Sequence, residues 1–388
     1  YKAFLDCAKT EREFTQAAVK LLNEAGYAPF EKGRDYKAGD KVYYVNRKKS
    51  LIMTTFGQRE IGTGVRLNVA HIDSPRLDLK PNPMYEKAEM AFFKTHYYGG
   101  IRKYQWAAIP LAMHGVVVKK DGEITDIRIG EEEGDPVFCV TDLLPHLAAD
   151  QNERKLKDGI KGEELNVIIG SLPFSADEDI KEPVKLLALS VLNEKYGMTE
   201  KDFIRAEIEI VPAFKAVDVG LDRSMVGAYG QDDRVCAYTA LTAEMASIEP
   251  EYTTVTVLAD KEEIGSVGNT GLDSDFVLHY IEDLAETAGI DYRTILRNSI
   301  CLSSDVNAAY DPTFSQVYEE RNACYINKGC VLTKYTGSRG KGGSNDASAE
   351  TMAKIVDMMD REGVYWQIGE LGAVDVGGGG TVAMYVAG

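Results

Sequence analysis

Apolar residues recur at helical spacing through the first thirty positions. Phe4, Leu5, Ala8, Phe14, Ala17, Ala18, Leu21 and Leu22 define one face, and Gly26 ends the run, which predicts a single helix. Alternation in KVYYVN and SLIMTTF predicts strands. The apolar run Val65 to Ala70 predicts a buried strand that enters a polar loop at His71. From about Pro81 to Pro212 the texture changes to aromatic-rich and strand-like pieces (FFKTHYYGG, GVVVKKDGEITDIRIG), an acidic loop (GEEEGDP) and one helical stretch (EPVKLLALSVLNEKYG). An inserted β-rich domain is therefore expected over residues 81–211, within a domain made of residues 1–80 and 212–388. After Pro212 the rhythm becomes strand, helix, strand, helix: TTVTVLADKEE, LDSDFVLHYIEDLAETAG, SICLSSDVNAA and NDASAETMAKIVDMMDREG. The last helix has an expected cap at Asn345 or Ser344. The expected class is α/β, a mixed but mostly parallel sheet flanked by helices.

Composition narrows the function. The chain has 388 residues, 44% hydrophobic and 27% charged, which suits a globular enzyme. Lys and Arg number 44 against 61 Asp and Glu, a formal net charge of −17. Nucleic acid and anionic lipid are thereby excluded as general partners, since both are bound through basic patches. No apolar run reaches 18 residues, so no membrane span is expected. Six cysteines are scattered without a C-x-x-C pair and are read as small buried side chains. Together with a polar start at Tyr1 they fit a cytoplasmic protein.

Three apolar runs end in metal-ligand chemistry. Val65–Ala70 leads to His71, with Asp73 two residues on. Thr254–Leu258 leads to Asp260, Glu262 and Glu263, and Ile300–Ser303 leads to Asp305. Functional groups collect at the carboxyl ends of strands in open parallel sheets, so these ends can share a crevice. Asp232 and Asp233 precede a helix and offer further carboxylates. Imidazole with several carboxylates suits zinc, and an acidic surplus suits a pair of ions about 3.5–4 Å apart with a shared hydroxide. Asp73 is placed to accept the second ring N–H of a ligating His71. Glu262 and Glu263 are adjacent, so one can bind metal while the other acts as general base. Taken singly, each of these residues is more often a cap, a solvated face or a packed side chain. Their joint position at strand ends is what points to a site.

Other motifs fail. GSRGKGGS lacks the spacing of a phosphate loop. Gly377–Gly380 reads as a tight turn allowing close backbone approach. No G-x-S-x-G elbow and no H-E-x-x-H helix is present.

The stretches AHIDSPRLDLKPNP, THYYGGIRKYQW, YGQDDRVCAYTAL, DKEEIGSVGNTG, SSDVNAAYDP and LTKYTGSRGKGGSNDASAE, in this order, resemble the bacterial branch of the aspartyl aminopeptidase family of dizinc metallopeptidases. The resemblance implies a phosphorylase/hydrolase-like zinc peptidase core with two zinc ions per subunit. It implies His71 and Asp305 as ligands of one zinc with Asp73 behind His71, Asp232 as the bridging carboxylate, Glu263 as a ligand of the other zinc, and Glu262 as general base. It further implies removal of N-terminal residues, acidic ones by the family name, from peptide substrates. The inserted domain would build a homo-oligomer, a tetrahedral dodecamer, in which His146 reaches a neighbouring active site. Lys334, Arg339 and Lys341 are the candidates to meet an acidic side chain. Two departures stand out. The family's last zinc-binding His lies beyond the Gly-rich turn, whereas the five histidines here are His71, His96, His114, His146 and His279; either that ligand lies in a segment after Gly388, the favoured reading, or the second metal site is incomplete in this chain. Asn307 stands where eukaryotic members carry a His, which bears on substrate preference. The readings to be told apart are an acidic-residue aminopeptidase, a broad-specificity or neutral-residue aminopeptidase or deacylase on the same scaffold, and a catalytically silent assembly protein.

Overall fold

The computed structural model describes residues 1–175, 179–379 and 382–387. The chain divides into two compact units, one of residues 1–17 and 73–231, the other of residues 18–72 and 232–388.

The second unit holds a six-stranded sheet. Its spatial order is Ala28–Pro29, Lys41–Asn46, Ser50–Thr55, Thr254–Ala259, Arg66–His71, Ile300–Ser303. Thr254–Ala259 and Ile300–Ser303 both run parallel to Arg66–His71, whereas Ser50–Thr55 is antiparallel to both of its neighbours. The sheet is mixed and flanked by helices, as the periodicities require. Strand Ser50–Thr55 is buried along its whole length, so Ser50, Thr54 and Thr55 are enclosed together with Leu51, Ile52 and Met53 instead of the two kinds alternating. Helix Phe276–Ala288 adds Phe276, Tyr280, Ile281 and Leu284 to the core formed with Val69, Val255 and Val257. Gly64 leads into the His71 strand at φ 94°, and a Cβ there would lie 2.1 Å from the Asn298 carbonyl oxygen. Gly64→Ala is therefore expected to lower stability by about 2 kcal/mol or more, from the positive φ and the backbone clash together. Chemical denaturation checks this, and an unchanged midpoint would contradict it.

The first unit is built on a seven-stranded antiparallel sheet. Its order is Ile124–Ile129, Leu111–Val118, Ala206–Pro212, Arg76–Lys87, Met90–Tyr98, Val167–Gly170, Cys139–Val140. Leu77, Phe93, Met113, Ile127, Phe203 and Ile210 form its core.

The expected N-terminal helix is in fact two, Lys2–Cys7 and Glu11–Glu24. The break has a local cause. Glu13 Oε2 accepts from the Lys9 and Thr10 amides, while Thr10 Oγ1 accepts from the Glu13 amide, a reciprocal cap that starts a new helix. The cap of helix Ala349–Arg361 is Ser348, which accepts from the Thr351 amide at 3.2 Å, rather than Asn345 or Ser344. Asn345 turns its amide to the Ala383 carbonyl instead. The reading of all six cysteines as buried is also corrected. Cys324 is buried, but Cys7, closing a short helix, and Cys330, opening a short strand, are exposed at element ends. The turn at Gly377 allows the close approach its sequence suggests, since a Cβ there would lie 1.9 Å from the Leu371 carbonyl oxygen. Gly380 lies outside the described residues. Among the described residues no helix is long and apolar enough to cross a membrane.

The first unit also buries a charged cluster. His114 is fully enclosed, with Nδ1 2.7 Å from Glu13 Oε1 and Nε2 3.1 Å from Glu131 Oε1. Lys9 and Lys215 pair with Glu131 at 2.6 and 3.0 Å. Burial alone would lower the His114 pKa, but the hydrogen bonds to Glu13 and Glu131 outweigh it and raise the pKa above its ordinary 6.5. The imidazolium thus contributes stability that is fully present below pH 6.5 and is lost as pH rises through the higher folded value. Burial pushes Glu131 the other way, yet its hydrogen bonds with His114, Lys9 and Lys215 hold its pKa down to about 2. Its contribution is present above its ordinary 4.5 and fades as pH falls toward 2. Urea midpoints followed from pH 6 to 9 should fall more steeply for the wild type than for His114→Gln. Parallel profiles would contradict the assignment.

Candidate metal centre

His71 is the last residue of strand Arg66–His71, between Thr254–Ala259 and the edge strand Ile300–Ser303. In parallel register it lies opposite Ala259, the last residue of the neighbouring strand. The Ile72 amide donates to the Ala259 carbonyl at 2.8 Å, so the two strand ends are held side by side. Glu262 and Glu263 follow within three to four residues, on the 3₁₀ turn Glu262–Ile264. On the other side the Ser304 amide donates to the Val69 carbonyl at 2.8 Å, which brings Asp305 to the same edge. Asp232 and Asp233 open helix Gln231–Ala246, and the peptide bond between them is cis.

The result is a cluster around one imidazole. His71 Nε2 lies 3.1 Å from Asp232 Oδ1, 3.8 Å from Asp305 Oδ1 and 4.0 Å from Glu262 Oε2. Ligand atoms of His71, Asp232 and Asp305 all fall within 4.8 Å of one another. The His71 side chain is only 1% exposed, whereas Asp232 is 53% exposed, so the cluster has a buried floor and an open mouth. Beneath it Asp233 is buried, and its Oδ2 has no hydrogen-bond partner. Burial pushes the Asp233 pKa up to about 8, against the lowering effect of His71. Burial, and then Asp233 itself, raise the nearby Cys236 thiol. Several carboxylates crowded on one imidazole repel one another unless a cation lies among them. One imidazole, converging carboxylates and an orphaned buried carboxylate oxygen fit a divalent transition metal such as zinc.

Glu263 shares the turn with Glu262 but lies outside the three-residue cluster formed among the described residues. Asp73 belongs to the first unit, where it is buried and accepts from the Tyr98 hydroxyl at 2.7 Å; the Arg76 guanidinium lies 3.7 Å over that ring. His146 is exposed on the turn Pro145–Leu147, also in the first unit. Lys334 and Lys341 line one cleft with Asp232, Glu262 and Asp305. Each lysine is engaged by a carboxylate that sequence reading did not single out: Asp346, 2.8 Å from both ammonium groups. Arg339 lines the same cleft and is exposed.

Two supporting contacts carry no mark in the sequence, although Asp260 itself stands among the acids after Leu258. Glu244, buried on the helix that Asp232 begins, accepts from the Thr55 and Thr254 hydroxyls at 2.7 Å and from Thr256 at 2.8 Å, which clamps that helix to the sheet. Asp260, fully buried, accepts from Thr270 Oγ1 at 2.6 Å and closes the loop that carries Glu262. A Glu inside a helix and an Asp at a strand end carry no sequence mark of such partners. The threonines alternating in TTVTV were the one available signal.

Comparison with known proteins gives a consistent picture. The family described as Aminopeptidase I zinc metalloprotease (M18) matches residues 4–388. A probable M18 family aminopeptidase 1 of Clostridium acetobutylicum is 50% identical, covering 100% of this chain and 85% of the relative. The crystal structure of an M18-family aminopeptidase from Thermotoga maritima superposes with a TM-score of 0.95 at 46% identity, covering 100% of this chain and 86% of that one. At 21% identity and a TM-score of 0.77, the S. cerevisiae mApe1 dodecamer shares the fold, covering 100% of this chain and 86% of that one.

Proposed function

The chain belongs to the M18 family of aminopeptidase I zinc metalloproteases, and from that premise we propose that it removes single N-terminal residues from peptides at the centre around His71. The observation that carries this reading is the convergence of Asp232, Asp305 and Glu262 within 4.0 Å of one imidazole nitrogen. His71, Asp232 and Asp305 would hold one zinc ion, and Glu263, with Asp232 shared, a second. Bound zinc supplies Lewis-acid polarisation of a carbonyl and a water whose pKa falls to about 7. Glu262 then has two tasks at its carboxylate: to accept the proton of the attacking water and to return it to the leaving amine. The buried floor at His71 and Asp233 keeps these charges in a setting of reduced dielectric.

Acidic specificity would require positive charge left over for the substrate. Lys334 and Lys341 share Asp346, which favours a broad or neutral N-terminal preference over the acidic one. The β-rich unit is proposed as the assembly unit of a homo-oligomer, a tetrahedral dodecamer in which His146 reaches a neighbouring subunit. Exposed Leu143, Leu144, Leu147, Leu172 and Phe174 on that unit support an interface there, as does the dodecamer seen for the yeast structure. A cytoplasmic setting is part of the same reading, with the six cysteines unpaired. The test is release of free amino acid from a panel of peptides with free and N-acetylated amino termini, with zinc counted per subunit. Cleavage of the acetylated peptides, or none of the free ones, would overturn the assignment.

A further inference from the structure

Asp346 stands between two ammonium groups. Lys334 Nζ lies 2.8 Å from its Oδ1 and Lys341 Nζ 2.8 Å from its Oδ2. The arrangement is tied by backbone: the Ala347 amide donates to the Lys334 carbonyl at 2.8 Å, and the Ser344 amide to the Lys341 carbonyl at 3.1 Å. Lys341 Nζ also lies 3.8 Å from the centre of the Tyr335 ring, whose hydroxyl donates to Glu370 Oε1. Lys334, Tyr335, Lys341, Asp346, Ala347 and Glu370 line the cleft that contains Asp232, Glu262 and Asp305. The hydrogen bond from Lys334, and next that from Lys341, hold the Asp346 carboxyl below its usual range, so the group is an anion at neutral pH.

The charges of the two lysines are therefore matched within the cluster by Asp346 and Glu370, while Arg339 lines the same cleft outside these ion pairs. A substrate carboxylate that reached the lysines would have to displace Asp346, exchanging one anion for another and leaving Asp346 without its partners. An uncharged side chain faces no such exchange. Discrimination of this kind comes from an unfavourable element as much as from an attractive one. We propose that Asp346 is a specificity-determining residue, a built-in carboxylate that occupies the anion position between Lys334 and Lys341 and turns the cleft toward peptides with an uncharged N-terminal residue. The inference rests on the aminopeptidase reading and names its substrate class.

The test uses the full-length, zinc-loaded protein as wild type, Asp346→Asn and Asp346→Glu. Steady-state kcat/KM is measured on the p-nitroanilides of Glu, Asp, Ala and Leu. The wild type is expected to favour Ala and Leu. Asp346→Asn should raise the Glu-to-Ala ratio about fivefold to tenfold, through a lower KM for Glu, because two exposed ion pairs are released and one negative charge is lost. Raising the salt to about 0.5 M should shrink that gain, since screening acts on exposed charges. Asp346→Glu should restore the wild-type ratio. An unchanged ratio in Asp346→Asn, an equal loss on all four substrates, or a gain indifferent to salt would overturn the proposal. A wild type inactive on every substrate would instead overturn the aminopeptidase reading. Calorimetric binding of free L-glutamate and L-leucine then decides the role of Asp346, which fails if Asp346→Asn does not tighten L-glutamate relative to L-leucine.

Discussion

Replacing Glu262 by Gln is expected to lower kcat by about 10²–10⁴-fold while the protein keeps its zinc. The amide preserves the shape of the side chain and its place on the turn after Ala259, but it cannot accept a proton at neutral pH. Glu262 Oε2 stands 4.0 Å from His71 Nε2, near enough to the ligand cluster to reach a water there, and 19% of its side chain is exposed toward the cleft. If Glu262 serves only as a ligand, Glu262→Gln should lose metal and activity together. If it serves as base, metal content and KM should hold while kcat collapses. Metal analysis alongside steady-state kinetics separates the two, and near-normal kcat with full zinc would eliminate Glu262 as base.

Stripping zinc with a chelator is expected to abolish turnover and to lower the melting temperature by about 10 °C, both reversed on adding the ion back. An ion present at about 1,000 times its Kd stabilises the folded state by about 4 kcal/mol, and each kcal/mol moves Tm by about 2–4 °C in a domain of this size. The physical source is the crowding of the Asp232, Asp305 and Glu262 carboxylates on His71, like charges that the cation offsets. The gap between the two forms should narrow as pH falls, because carboxylates and imidazole must be deprotonated to bind. Scanning calorimetry with and without chelator measures this. A stripped sample that melts unchanged and still cleaves peptides would remove the metal from the account.

Much of the candidate cluster is legible in the sequence. VRLNVAH, TVTVLADKEE and ICLSSD are each apolar runs stopped by acid or imidazole, and in a sheet with parallel members such stops gather at one edge. The register of His71 opposite Ala259, with Ser304 bonded to Val69, is what makes the three stops coincide. Register depends on which strands become neighbours, and no single run encodes that. The N-terminal segment reads as one helix because its apolar spacing runs through Ala8, while the Thr10–Glu13 cap that breaks it works through backbone donors.

Lys334 and Lys341 show the same limit at the level of charge. From the order of residues they are two cations in a glycine-rich loop, suited to an anionic side chain. Folding places Asp346 against both, a pairing that the order of residues in the loop does not show.

The order of residues by itself determined the alternation of strands and helices, the kinds of ligand on offer and, through its motifs, the resemblance to a peptidase family. Those properties are local, set by side-chain period and residue chemistry. The tertiary structure alone decided which carboxylates surround His71, which helix Glu244 clamps, and which positive charges are already spent. Each of these depends on distances between residues far apart in the chain, and only strand pairing and packing set such distances.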